Sequence, residues 1–216
     1  MSGFSIARQK MVDCQVRTSD VTDSRIIDAM LEVPREAFVP ADKQALAYLD
    51  LDLDVGGGCL LQAALTAKLL QAAEIKATDK VLVAGAASGY VAALASRLAT
   101  QVVATVADAA LAGRATTALG QLGCGNVTVR NVAATDGDDA SAPFDVIVLN
   151  GATQIDPERL CGQLAQGGRL VGVFAQSNPS RAMIVTRSHG DFGHRTLFDA
   201  VAPTLAGLER RPEFVF

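Results

Sequence analysis

Residues 80–98, KVLVAGAASGYVAALASRL, decide the fold. Residues 81–85 are apolar or glycine, which fits a strand buried on both faces. Ala86, Ala87 and Ser88 make a loop of small residues, and residues 89–99 then read as a helix. A strand, a small-residue turn and a helix open the nucleotide-binding unit of doubly wound α/β proteins, whose ligands sit beyond the carboxyl ends of the strands. Gly85 and Gly89 tolerate the turn, and helix N-terminal amides can face a negative group. The match to G-x-G-x-x-G is incomplete, because Ala87 stands where a second glycine is expected and no acid lies in the strand. Small residues here would equally serve close packing of helix on strand, with no ligand involved.

Outward from this unit the alternation continues. Strands are predicted at 102–106, 127–130, 144–149 and 167–175, with helices at 109–122 and from Pro157 to about Leu164. Near-continuous apolar strands alternating with helices imply a mostly parallel sheet covered on both faces. After Pro179, residues 181–188 and 194–205 read as two more strands, a closing antiparallel hairpin. Upstream, Thr22 or Asp23 can cap a helix with the apolar stripe Ile26, Ile27, Met30 and Leu31, which Pro34 stops. Leu and Asp alternate from Leu49 to Asp54 with the period of a strand wet on one face. Residues 60–75 read as a helix. The expected organisation is an N-terminal helical cap, residues 1–78, on a Rossmann-like doubly wound domain, residues 79–216, in one compact unit.

Half of the 216 residues are hydrophobic, 19% are charged, and the net charge is −4 without a basic run. A core-rich folded protein is implied, and a nucleic-acid partner is not expected. Apolar runs are short and broken by charge, so no membrane span is expected, and residues 1–15 lack the apolar core of a signal peptide. Cys14, Cys59, Cys124 and Cys161 are widely spaced with no C-x-x-C pair, which suits a reduced, cytoplasmic setting. No metal site is expected. His189 and His194 lack a third ligand at diagnostic spacing, and Asp50, Asp52 and Asp54 fail the calcium-loop pattern at Val55 and Leu61.

A larger set of motifs carries a resemblance. Met11, Val12, Gln15 and Arg17, then Val33-Pro34-Arg35-x-x-Phe38-Val39-Pro40, the LAYLD of residues 46–50, VLVAGAASGY from 81, FDVIVLNGA from 144 and LAQGGRLV from 164 resemble the protein-L-isoaspartate (D-aspartate) O-methyltransferases. The likeness runs from about residue 10 to 175. It implies a Rossmann-like class I methyltransferase fold, S-adenosylmethionine as cofactor, isoaspartyl-containing proteins or peptides as partners, and protein repair as the role. It also implies that Gly85, Ala86, Ala87, Ser88, Gly89 and Asn150 are the cofactor-binding positions, and that Gly58, Cys59 and Leu61 belong to the substrate loop. No catalytic residue is named by it, since in-line methyl transfer depends more on positioning than on a strong base.

Residue by residue, the chain departs from the pattern. Val83 replaces the acid of the first strand, and Ala87 replaces a loop glycine. Val106 takes the place of the acid that holds the ribose, with Asp108 two residues on. Val132, Ala133 and Ala134 take the place of Gly-Asp-Gly, whose Asp faces adenine. Cys59 and Leu61 stand on the threonine and serine of the substrate loop. Where a polar ligand-contacting residue is lost, Val, Ala, Cys or Leu takes its place. The expectation is therefore a family member with a degenerate cofactor pocket, its donor weakly bound or unbound and its methyl transfer weak or lost. The alternative is an active S-adenosylmethionine-dependent repair methyltransferase, so enzymatic activity is left open.

Overall fold

Strand β3 (Lys80–Ala84) divides its side chains between two cores. Val81 and Val83 join a cluster with Val102, Ala104, Val146, Val148, Val171 and Val173. Leu82 and Ala84 join another, with Val103, Ile147, Leu149, Leu170 and Phe174. This is the period-two consequence of strands buried on both faces. The chain is seen as a computed structural model that describes residues 3–210. Its main sheet has seven strands. In spatial order they are β5 (Val127–Arg130), β4 (Gln101–Thr105), β3, β6 (Phe144–Thr153), β7 (Leu164–Phe174), β8 (Arg181–Ser188) and β9 (Asp191–Asp199). The first five run parallel, and β8 and β9 are antiparallel, as the closing hairpin requires. The Rossmann-like class I architecture is therefore present. The order reverses at β3, which pairs with β4 on one side and β6 on the other, and this is the switch point.

The first core is covered by helices α3 (Ala63–Ala73), α4 (Tyr90–Ser96) and α5 (Ala109–Gln121), together with the N-terminal helices α1 (Gly3–Met11) and α2 (Ser24–Glu32). Of the two caps expected for α2, Asp23 supplies it, its Oδ1 accepting from the Arg25 amide at 2.9 Å. On the opposite face the cover is the short helix α6 (Glu158–Gly162), opened by Pro157, with flanking loops.

Several expected elements differ: the helix over 60–75 starts at Ala63, the helix from Pro157 ends at Gly162, and β6 runs on to Thr153. The Leu49–Asp54 strand shrinks to β1 (Leu53–Asp54), paired with β2 (Cys59–Leu60), because residues 49–52 have no strand beside them. The helix drawn over 89–99 runs only from Tyr90 to Ser96, with Gly89 left-handed at φ 97° before it. The last strand ends at Asp199, and Thr204 returns as an isolated parallel bridge to Ala152. No helix among the described residues is long and apolar enough to cross a membrane, and no cluster of metal-ligating side chains occurs among them.

Candidate functional site

A cleft of about 570 Å³ opens at the carboxyl ends of β3, β4 and β6, a volume in the range of small-molecule sites. The sheet supplies Gly85 after β3, Val106 and Ala107 after β4, Ala133 and Ala134 after β5, and Asn150 near the end of β6. Asp52, Asp54 and Gly57–Cys59 form a second wall, and Pro203–Ala206 a third. Of the positions singled out in the sequence, Gly58, Cys59, Gly85, Ala87 and Asn150 line this cleft. Ala86, Ser88, Gly89 and Leu61 do not; Leu61 is fully buried and its carbonyl accepts from Arg35 Nη2 at 2.6 Å.

The glycine loop keeps its shape by internal bonds. The Gly85 amide donates to Thr105 Oγ1 at 3.0 Å, Ala86 to the Thr105 carbonyl and Gly89 to the Ala86 carbonyl. Those amides are engaged inside the fold, so what the loop shows the cleft is the surface of Gly85 and Ala87. Gly85 is left-handed at φ 70°, and a Cβ there would lie 2.6 Å from Leu205. Ala87 is also left-handed, at φ 49°, a conformation that strains an L-residue. Its methyl is where a Cβ on Gly58 would collide, at 2.6 Å. The wall formed by Gly57–Cys59 thus rests on Ala87 through Gly58.

Among the strand ends, Val106 is buried and Ala133 and Ala134 carry only methyl groups toward the cleft. Asp108 does not replace the acid expected at 106. Its Oδ1 accepts the Leu111 amide at 2.7 Å and caps α5, where the helix dipole favours it. Asn150 is 5% exposed, and its Nδ2 donates to the carbonyls of Gly85 at 2.9 Å and Cys59 at 3.3 Å, leaving Oδ1 without a partner. Burial, and then the carboxylates of Asp52 and Asp54, push the Cys59 thiol up to about 11, so it is neutral near pH 7 and is no nucleophile.

Behind the walls lies Arg35, 1% exposed, one of the block that carried the resemblance. Its Nε donates to the Ala47 carbonyl at 2.6 Å, and its guanidinium sits 5.0 Å from the Tyr90 ring centroid, with burial lowering its pKa. It ties residues 47 and 61, on either side of the cleft loop, to helix α4. Residues 203–206 were missed as a functional element, since their sequence, PTLA, carries no recognisable signal. Backbone bonds dock them on β6, from the Ala152 amide to Pro203 and from the Leu205 amide to Ala152.

Comparison with known proteins points in one direction. The family model "Protein-L-isoaspartate(D-aspartate) O-methyltransferase" matches residues 7–200. A protein-L-isoaspartate O-methyltransferase of Koribacter versatilis is 38% identical over 200 residues, covering 92% of this chain and 90% of the relative. The protein-L-isoaspartate O-methyltransferase 1 of Rhodopseudomonas palustris is 38% identical over 192 residues, covering 88% and 78%. A solved protein-L-isoaspartate O-methyltransferase superposes with a TM-score of 0.81 at 24% identity, over 93% of this chain and 66% of that one. A Plasmodium falciparum structure described as a putative member in complex with S-adenosyl-L-homocysteine gives a TM-score of 0.77 at 16% identity, over 95% and 99%.

Proposed function

Because the chain belongs to the protein-L-isoaspartate O-methyltransferase family, we propose that it is an S-adenosylmethionine-dependent methyltransferase acting on isoaspartyl carboxylates of damaged proteins. The observation that carries this reading is the open cleft at the switch point, whose polar-to-apolar replacements have not filled it with side chains. Two features fit a bound methyl donor. The cleft, about 570 Å³, has room for one, and Asn150 holds a buried acceptor with no partner. The donor supplies an electrophilic methyl group on a positive sulfonium. The chain's own part is positioning: Gly85 and Ala87 give the floor, Asn150 fixes the floor to the substrate loop through Cys59, and Gly58 and Cys59 face the incoming carboxylate. The acceptor carboxylate is ionised at neutral pH, so no protein base has to remove a proton, and alignment supplies the rate.

A second reading is favoured by one observation: the strand-end positions 106 and 133 in the cleft carry Val and Ala, not carboxylates. Two lost charge-assisted hydrogen bonds to ribose, at roughly 1.5–3 kcal/mol each, lower donor affinity by about a hundredfold or more. On that reading methyl transfer is weak or lost. One assay separates the two. The purified protein is incubated with labelled S-adenosylmethionine and an isoaspartyl peptide, beside its normal aspartyl twin. A base-labile methyl ester on the isoaspartyl peptide alone supports the repair enzyme. No ester, with the donor bound weakly or not at all in a parallel titration, supports the second reading and rejects the first.

A further inference from the structure

Building on the proposal that the cleft takes an adenosyl methyl donor, we propose that Asp52 and Asn150 form its cation-recognising end, which holds the α-ammonium of the ligand's amino-acid portion. The charged side chains lining the cleft are Asp52 and Asp54, and no Lys, Arg or His is among its lining residues. Asp54 is already engaged: Oδ1 accepts the Gly56 amide at 3.0 Å, and Oδ2 pairs with Lys43 Nζ at 3.3 Å. Asp52 uses Oδ1 to accept the Gln62 amide at 2.8 Å and has no ion pair among the described residues. Its charge is the uncompensated one in the cleft wall.

Asn150 points independently to the same ligand chemistry. Its Nδ2 is held by two carbonyls, which fixes the amide and leaves Oδ1 a buried acceptor in want of a donor. Cys59 joins the two residues. Its carbonyl accepts from Asn150, and its thiol is held protonated by burial and, among charges, first by Asp52. A negative field and an unfilled acceptor on adjoining walls select a group that is both positive and rich in N–H, which a primary ammonium is and a phosphate or carboxylate is not. The ligand's own carboxylate must then face away from Asp52, which sets the direction in which its amino-acid end lies.

The test is calorimetric titration with S-adenosylhomocysteine and with its deaminated analogue, which lacks only the ammonium. Wild type, Asp52→Asn and Asp50→Asn are compared. Asn at 52 keeps an acceptor for the Gln62 amide, and Asp50 is exposed and outside the cleft wall, so it controls for overall charge. Wild type and Asp50→Asn are expected to prefer the ammonium-bearing ligand by about tenfold, the worth of one partly exposed charge-assisted hydrogen bond. In Asp52→Asn the two ligands should bind within about twofold. A preference that survives in Asp52→Asn, or none in wild type, overturns this assignment and leaves the donor reading standing. If wild type binds neither ligand, the donor reading falls and takes the ammonium site with it.

Discussion

Putting a carboxylate back at the end of β4 tests the account of the cleft most directly. Val106 lines the cleft, is 2% exposed, and its amide bonds to the Arg130 carbonyl, so its backbone is fixed by the sheet. In Val106→Glu the side chain has one way out of the core, along the cleft wall toward the ribose. Two charge-assisted hydrogen bonds to the ribose hydroxyls are worth about 3–6 kcal/mol together. Part of that offsets desolvation of the new carboxylate when the ligand arrives, so the net gain should be about 2–3 kcal/mol, a Kd tighter by about 30- to 150-fold. The free protein should lose about 1–3 kcal/mol of stability, because an apolar contact is exchanged for a half-buried charge. Titration calorimetry with S-adenosylhomocysteine reads the first number and urea denaturation the second. Adding Ala133→Asp should tighten binding further. If the folded variant binds no more tightly than wild type, residue 106 does not meet the ribose and the explanation of the apolar cleft is wrong.

Other consequences follow from neighbouring residues. Ala87→Gly should be nearly neutral for stability: relief of the left-handed strain, about 1–2 kcal/mol, is matched by about 0.4–1 for glycine's unfolded-state entropy and about 0.8 for the buried methyl. Gly58→Ala alone should cost more than about 2 kcal/mol through its clash with the Ala87 methyl, and Ala87→Gly should rescue it; denaturation of the four proteins in that cycle would show no coupling if the two walls do not touch. Arg35→Lys should destabilise by about 2–4 kcal/mol, since an ammonium cannot span the Ala47 and Leu61 carbonyls and stack on Tyr90, and thermal melting measures it. The Cys59 thiol has its pKa raised from 9.0 to about 11, so the folded state holds the proton more tightly than the unfolded chain. This contribution to stability is complete below about pH 9 and is lost as pH rises through 11. Alkylation of Cys59 should stay slow at pH 8 and speed up toward pH 11, and Asp52→Asn should move the midpoint down; a midpoint near 9 would contradict the burial.

Much of the frame was legible in the chain because burial imposes periodicity. VLVA, VVAT and DVIVL could only be strands covered on both faces, and Asp23 and Pro34 marked the ends of α2 by ordinary capping chemistry. The floor of the cleft was legible as well: Gly85, Ala87 and Asn150 follow directly from where their strands end. The walls were not, because they depend on contacts distant in sequence. Leu61 looked like a substrate-facing position, yet Arg35 draws its carbonyl inward and buries the side chain. Asp52 read as one tooth of an alternating strand, when no partner strand exists and its carboxylate turns to the Gln62 amide. Asp108, two residues from the missing acid, serves the helix behind it. The apolar substitutions suggested a degenerate pocket that holds its donor weakly or not at all. The backbone scaffold around them is held by bonds of its own, so the cleft stays open.

The strap at residues 203–206 reaches the cleft from the far end of the polypeptide, about 150 positions away from the Asp52 wall that it faces. Contacts of such long sequence separation form late, so this wall should be among the last parts to assemble and the first to come loose. Two backbone bonds at Ala152 and one from Gln154 to Leu208 hold it, against the full ladder that holds β6 itself. Amide hydrogen exchange at Leu205 and Ala152 would then register excursions far below the free energy of global unfolding. The protein would have an entrance that breathes on a rigid floor, and the lifetime of the breathing would limit how fast anything held inside could leave.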